Sequence, residues 1–362
     1  MNNVLADVDS ATIANRVVGP GQPVWLVGEL GVTHEGALSV AAEMLDAAVA
    51  AGIDAIKVEC INPDALVSRQ YRSELNYSFK TLTGRTITEN YHELLKKVSL
   101  SYGEIADLAA MAKARHLPFF GTAFDLETVD FLVSIDACAI KISSGEITHF
   151  PLLTKAAKTG LPVFFDTGRA SLPEILSAIE ALREAGCATP IVMHNPSGYP
   201  ASHHDVQLNS IPLYQQATGL PVGLSCHSRG NMMVHGAVAL GANVIEKPLT
   251  RDNTREEDEH IFSVNIHELG RYVEEIRALE QAFAVSRTKL YAGDLDTVRR
   301  RTFRQSIVAR SDLAKGQKVT AEDLTFARPG YGMAPSLLDF VVGRSLKRAV
   351  PAGHHITIED IE

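Results

Sequence analysis

Eight short apolar runs punctuate the first 250 residues: VWLVGEL (24–30), DAIKVEC (54–60), LPFFGTAF (117–124), CAIKISSGE (138–146), LPVFFDTG (161–168), PIVMHNP (190–196), LPVGLSC (220–226) and NVIEKPLT (243–250). Each is rich in Val, Ile or Phe and shows almost no polar alternation, the pattern of strands buried on both faces of a parallel sheet. Between them lie stretches such as 37–52 and 171–186, whose apolar residues recur at helical spacing and which close on Gly52 and Gly186. Eight strand-then-helix units in about 240 residues have the count and size of a (β/α)8 TIM barrel. The rival, an open doubly wound sheet, normally carries a GxGxxG loop after its first strand. GELGVTHEG (28–36) does not fit it.

Polar residues arrive where the apolar runs end: Glu29, Lys57 with Glu59, Thr122, Lys141 with Ser144, Asp166, His194 with Asn195, Ser225 with His227, and Glu246 with Lys247. The carboxyl ends of barrel strands share one face, where active sites sit. Lysine is rarely buried unpaired. Lys57, Lys141 and Lys247 at three strand ends therefore predict a pocket for a ligand carrying phosphate or carboxylate. Thr122, Ser143, Ser144, Thr167 and Ser225 would add hydroxyl donors. Glu29 and Glu59 suit a general base or hydroxyl-binding role, or simple pairing with the pocket lysines. Glu246 reads either as part of this rim or as a structural ion pair closing the barrel. His34, His194, His227 and His260 are candidates for acid–base work or metal ligation, the latter needing carboxylates or waters to complete the shell.

After Glu268 the pattern changes. An amphipathic helix (268–283) leads to a basic stretch, LDTVRRRTFRQS, and then to two similar phrases, DLAKGQKVTAEDL and AVPAGHHITIEDIE. Their Thr-Ala-Glu-Asp and Thr-Ile-Glu-Asp starts suit N-capped helical turns. The expected organisation is a barrel over 1–285, a linker over 286–304 and a compact, mostly β domain over 305–362.

Composition narrows the partners. Lys plus Arg number 34 against 43 Asp plus Glu, a net charge of −9, so no basic face for nucleic acid is expected. No apolar run approaches the roughly 20 residues of a membrane span, and MNNVLADVDS lacks a signal-peptide pattern. Cys60, Cys138, Cys187 and Cys226 are widely spaced, as expected of reduced thiols in a cytoplasmic protein.

The phrases GELGVTHEGALSVAAEMLDAAVAAGIDAIKVE, GTAFDLETVDFL, KISSGEITHFPLL, PSGYPASHHDVQLNSI, GLPVGLSCHSRG and ALGANVIEKPLT resemble the sialic acid synthases, including N-acetylneuraminate synthases and their legionaminic, pseudaminic and spore-coat relatives. The tail, with RPGYGMAP, resembles their antifreeze-like (SAF) domain. The resemblance implies condensation of phosphoenolpyruvate with a 2-acetamido sugar aldehyde, assisted by a divalent metal, Mn or Mg, with release of phosphate. It matches Lys57, Thr122, Lys141, Ser144 and Ser225 to phosphoenolpyruvate contacts. Glu29 and Tyr199 match residues near the aldehyde, and His227 matches a metal ligand. Arg328 matches an arginine that reaches the acyl-amino group of the sugar, typically in the neighbouring subunit of a domain-swapped homodimer.

This chain departs from that pattern around the pocket. Pro248 stands where the family has its second metal histidine, and proline offers no donor atom. Glu59 replaces a glutamine, Cys226 an aspartate, Asn195 a cysteine, Ser197 an asparagine and Glu259 a sugar-contacting aspartate. Asp166 replaces a phosphate-contacting serine, and a carboxylate beside a phosphate costs on the order of several kcal/mol unless a cation or proton intervenes. Glu29, Glu59, Tyr199 and His194 are the catalytic candidates. Lys57, Thr122, Lys141, Ser144, Asp166, Ser197, Ser225, Lys247, Glu259 and Arg328 are the substrate-binding candidates. Three readings stay open: a synthase with altered acceptor and metal site, a changed chemistry (lyase, aldolase or enolpyruvyl-type transfer) on another anionic substrate, and a non-catalytic binding relative.

Overall fold

A computed structural model describes residues 8–283 and 299–362. The chain divides into two compact units, Met1–Ala284 and Val285–Glu362. In the first, strands β1 (Trp25–Leu30), β2 (Ala55–Cys60), β3 (Phe119–Ala123), β4 (Ile140–Ile142), β5 (Val163–Asp166), β6 (Ile191–His194), β7 (Val222–Ser225) and β8 (Val244–Thr250) pair in parallel, each with the next. β8 pairs back onto β1, with Pro248 opposite Glu29, and the barrel is closed. All eight expected strands are present.

The outer helices are α1 (Leu38–Ala51), α2 (Tyr102–Ala114), α3 (Leu126–Ser134), α4 (Phe150–Lys158), α5 (Leu172–Glu184), α6 (Ser210–Thr218), α7 (Met232–Ala239) and α8 (Leu269–Phe283). Local chemistry sets their ends. Ser101 and Glu104 form a reciprocal capping box at the start of α2, and α1 stops where Gly52 takes a φ of 77°.

Two apolar layers result. One lies between strands and helices and includes Leu26, Leu45, Ile56, Ile105, Ile245 and Leu249. The other fills the barrel, where Trp25 stacks on Phe120 and Phe164, each at 5.7 Å. A short N-terminal hairpin, Ala11–Ile13 with Arg16–Val18, adds Ile13 and Val18 to that interior layer and seals its lower end. The barrel is thus solid below the strand ends, which become the floor of an upper cavity.

Two insertions had no counterpart in the sequence reading. The N-terminal hairpin has strands of three residues, too short for a periodic signal. Between β2 and α2, an antiparallel hairpin (Asn76–Lys80 with Thr86–Asn90) leads into a helix, Tyr91–Val98.

The second unit has an antiparallel pair, Ser306–Ala309 with Leu324–Ala327, and isolated bridges around a core that includes Ile307, Leu313, Val341 and Ile356. The two repeated phrases fold alike: the Thr320 hydroxyl donates to Asp323 and the Thr357 hydroxyl to Asp360. Of the expected linker, residues 286–298 lie outside the described residues.

Candidate active site

Strand side chains alternate between faces. Trp25 and Val27 face inward, so Glu29 does too. The same parity carries Phe120 to Thr122, Ala139 to Lys141, Phe164 to Asp166, Met193 to Asn195 and Val244 to Glu246. A polar ring therefore sits directly on the aromatic layer, and all these residues line one cavity with Lys57, Glu59, Ser144, Ser225 and His227.

The ring is a single charged network. Lys57 Nζ donates to Glu29 Oε1 at 2.5 Å, to Glu59 and, at 3.3 Å, to Glu246 Oε1. Lys141 Nζ donates to Glu246 Oε1 at 2.5 Å and lies 3.0 Å from Asp166 Oδ2. The hydroxyls of Ser225 and Thr122 complete it, donating to Glu246 and Glu59 at 3.0 Å each. Both lysine side chains are buried, at 1% and 2% exposure, which such charges tolerate only when paired. Glu246 thus serves both readings offered for it: it lines the cavity and ties together two strand-end lysines.

This packing spreads the proton affinities. Burial opposes the charge on Lys57, but Glu246, Glu29 and Glu59 outweigh it and hold its pKa well above the usual lysine value. Burial also works against the Glu246 carboxylate, yet Lys141 and Lys57 draw it down to about 2. Glu29 goes the other way. Burial, reinforced by Glu246 and Glu59 against the pull of Lys57, pushes it up to about 8, so it carries a proton at neutral pH. Burial likewise lifts Asp166 to about 6 against the pull of Lys141. Glu29 Oε2, Asp166 Oδ1 and His227 Nδ1 are buried without hydrogen-bond partners.

The upper wall comes from the loops. Tyr77 and Tyr91, from the hairpin and helix inserted after β2, line it with Leu94 and Val98. Tyr199 stacks on His227 at 4.6 Å, with Phe262 edge-on to both. Glu259 has a left-handed φ of 68° and leans over Gly31, where an added Cβ would come within 2.4 Å of its carboxylate. A side chain at position 31 would push that carboxylate aside. Burial, then Glu29 and Asp258, raise the Glu259 pKa well above the normal carboxyl range.

Three of the catalytic and substrate-binding candidates in the first unit do not line this cavity. Lys247 has the outward parity of Ile245 and Leu249; its Nζ donates to the Ser228 carbonyl at 2.5 Å and lies 3.4 Å from Cys226 Sγ. Two lysines converge on the cavity, not three. His194 also faces outward, with Nε2 2.6 Å from the Val206 carbonyl oxygen and its ring edge-on to Tyr214 of α6. Once Val244 and Met193 are placed inside the barrel, the strand period of two sends both side chains outward. Ser197 is exposed in the loop after β6 and does not line the cavity. Arg328 belongs to the second unit, where its guanidinium lies 5.2 Å from the Phe303 ring centroid. Tyr77, Tyr91, Asp258 and Arg169 line the cavity without having been anticipated.

The donor set does not fit a divalent metal. Pro248 faces inward, as the matching ligand would, but has no donor atom. Among the described residues His227 is the one histidine that lines the cavity, its ring packed against Tyr199 and Phe262. Among the described residues, no group of three or more His, Cys, Asp or Glu side chains is arranged to hold a metal.

Residues 44–288 match the NeuB family and residues 304–362 the SAF domain. The chain is 33% identical to N,N'-diacetyllegionaminic acid synthase of Legionella pneumophila, covering 95% of this chain and 96% of that one. It is 28% identical to human N-acetylneuraminate-9-phosphate synthase, covering 86% and 84%. The crystal structure of an N-acetylneuraminic acid synthetase from Leptospira borgpetersenii superimposes with a TM-score of 0.70 at 27% identity, covering 81% of this chain and 95% of that one.

Proposed function

Since the chain belongs to the NeuB family, we propose that it condenses phosphoenolpyruvate with the aldehyde of a sugar or amino sugar, yielding a 2-keto sugar acid and inorganic phosphate. C3 of the enol attacks the aldehyde carbon and the aldehyde oxygen takes up a proton. Water adds to C2, and the C2–O bond then breaks with its electron pair leaving on phosphate. The observation that carries this reading is the floor of the cavity, where buried Lys57 holds one oxygen of Glu29 and leaves the other buried and unpartnered.

In this reading Glu29 supplies the proton. Its Oε1 is held by Lys57, while Oε2 is buried and unpartnered. A carboxylic acid so placed donates to the developing alkoxide. Lys57 fixes the Glu29 carboxyl, and Lys141 holds Glu246 and Asp166 in the floor beneath the donor. Glu259, one methylene longer than the family's aspartate, reshapes the acceptor end beside Gly31, so the preferred sugar differs from a plain 2-acetamido aldose. Incubation with a panel of aldoses and amino-aldoses, read by phosphate release and product mass, tests the proposal. Consumption of phosphoenolpyruvate with at least one acceptor is expected, and none across the panel would reject it.

Because the donor set does not fit a metal, no step above is routed through one. Exhaustive dialysis against a chelator is expected to leave kcat unchanged. Loss of turnover that Mn at micromolar levels restores would contradict this.

Asp166 favours a second reading, in which the scaffold acts on another anion, because its buried, unpartnered Oδ1 sits where a phosphate contact is expected. The two readings separate by pH. With phosphoenolpyruvate as the donor, its KM should rise as pH increases through about 6, since Asp166 is then losing the proton that screens it from phosphate. Asp166→Ser should flatten that rise. A KM that is pH-independent through this window in the native protein would tell against a phosphate beside Asp166.

A further inference from the structure

Lys57 and Lys141 are not free to bind an anion on their own. Between them they contact four carboxylates, Glu29, Glu59, Asp166 and Glu246. Even with Glu29 neutral, the floor has no surplus positive charge for a phosphate dianion. A cation with no internal partner must come from elsewhere on the cavity wall.

Arg169 meets that need. It lines the cavity just past the end of β5, is solvent-exposed, and has no hydrogen-bond or ion-pair partner among the described residues. Its backbone is held at a φ of 62°, a left-handed conformation that costs a non-glycine residue energy and is kept where the surroundings enforce it. The preceding residue is Gly168. A Cβ there would lie 3.0 Å from Asn195 Oδ1 and 3.1 Å from Ser144 Oγ, so the bare backbone lets both polar groups close in beside the turn that carries Arg169. Asn195 and Ser144 also line the cavity. A planar guanidinium, a hydroxyl and an amide lining one cavity make up the donor set that phosphoryl oxygens prefer.

We propose that Arg169 binds the phosphoryl group of the donor, with Ser144 and Asn195 beside it, and so supplies the positive charge that the paired lysines of the floor cannot. The identity of the ligand rests on the phosphoenolpyruvate reading; the anion seat itself does not. The sequence offered a signal: Arg169 follows the Thr-Gly turn at the end of a barrel strand, where site residues gather.

Calorimetric titration of native protein, Arg169→Met and Arg169→Lys with phosphoenolpyruvate, inorganic phosphate and pyruvate tests it. Arg169→Met should weaken phosphoenolpyruvate and phosphate by about 10- to 100-fold and leave pyruvate, which lacks the phosphoryl group, unchanged. Arg169→Lys should recover part of the loss. The residue is exposed, so unchanged melting temperatures should accompany these effects. Native protein that binds phosphoenolpyruvate, with Arg169→Met binding it equally well, overturns the role of Arg169 and spares the condensation reading. Binding of phosphate but not phosphoenolpyruvate, lost in Arg169→Met, keeps the anion seat and overturns the donor. Failure of the native protein to bind either phosphate compound overturns both.

Discussion

Lys57→Met should abolish turnover and lower the stability of the barrel by about 3–5 kcal/mol, the cost of removing one partner from a buried charge network. Lys57 is the shared partner of Glu29, Glu59 and Glu246. Without it, Glu59 is left half-buried with only the Thr122 hydroxyl, and Glu246 must rely on Lys141 and Ser225. Lys57→Arg should not rescue activity, because a planar, five-donor fork cannot take the place of a point charge among three converging carboxylates. Lys247→Met provides the contrast. That side chain is as deeply buried but faces the helices, so its loss should cost about 1–3 kcal/mol, from the Ser228 carbonyl left unsatisfied, while turnover persists. Denaturant unfolding together with phosphate release measures both effects. Wild-type stability and turnover in Lys57→Met, or inactivity in Lys247→Met, would contradict the assignment of faces.

Glu29→Gln should reduce kcat by about 10²- to 10⁴-fold, the usual range for loss of a positioned proton donor. The amide keeps the shape and can still accept from Lys57, so the fold should survive. The working form of Glu29 is the acid. Activity of the native protein is therefore fully present well below pH 8 and falls as pH rises through about 8, where the carboxyl loses its proton. In Glu29→Gln that alkaline limb should vanish from the residual activity. A kcat within a few-fold of native, or an unchanged alkaline limb, would remove Glu29 from the proton-transfer step.

Much of this architecture is written in short-range pattern. The eight barrel strands are legible because each is buried on both faces and so appears as an unbroken apolar run. The polar residues near the end of each run then mark the face that carries the cavity. Which parity faces inward is not legible in such runs, and it becomes usable only once one residue of each strand is placed. Val244 inside and Ile245 outside already send Glu246 into the cavity and Lys247 away from it. What the chain does not announce is set by contacts distant in sequence. The coupling of Glu246 to both lysines spans 189 and 105 residues. The wall contributed by Tyr77 and Tyr91 depends on an inserted hairpin whose exposed strands alternate weakly. The room for Glu259 depends on Gly31, more than 200 residues earlier in the chain. The proton on Glu29 depends on burial among other carboxylates, which no local sequence window contains.

The condensation account is tested most directly by phosphoenolpyruvate carrying oxygen-18 in the C2–O–P bridge, incubated with an acceptor aldose in the presence of chelator. The account predicts that the label leaves in inorganic phosphate, because the C2–O bond is the one that breaks, and that the keto acid takes its new oxygen from water. Label retained in the organic product, or no labelled phosphate without added metal, would contradict it.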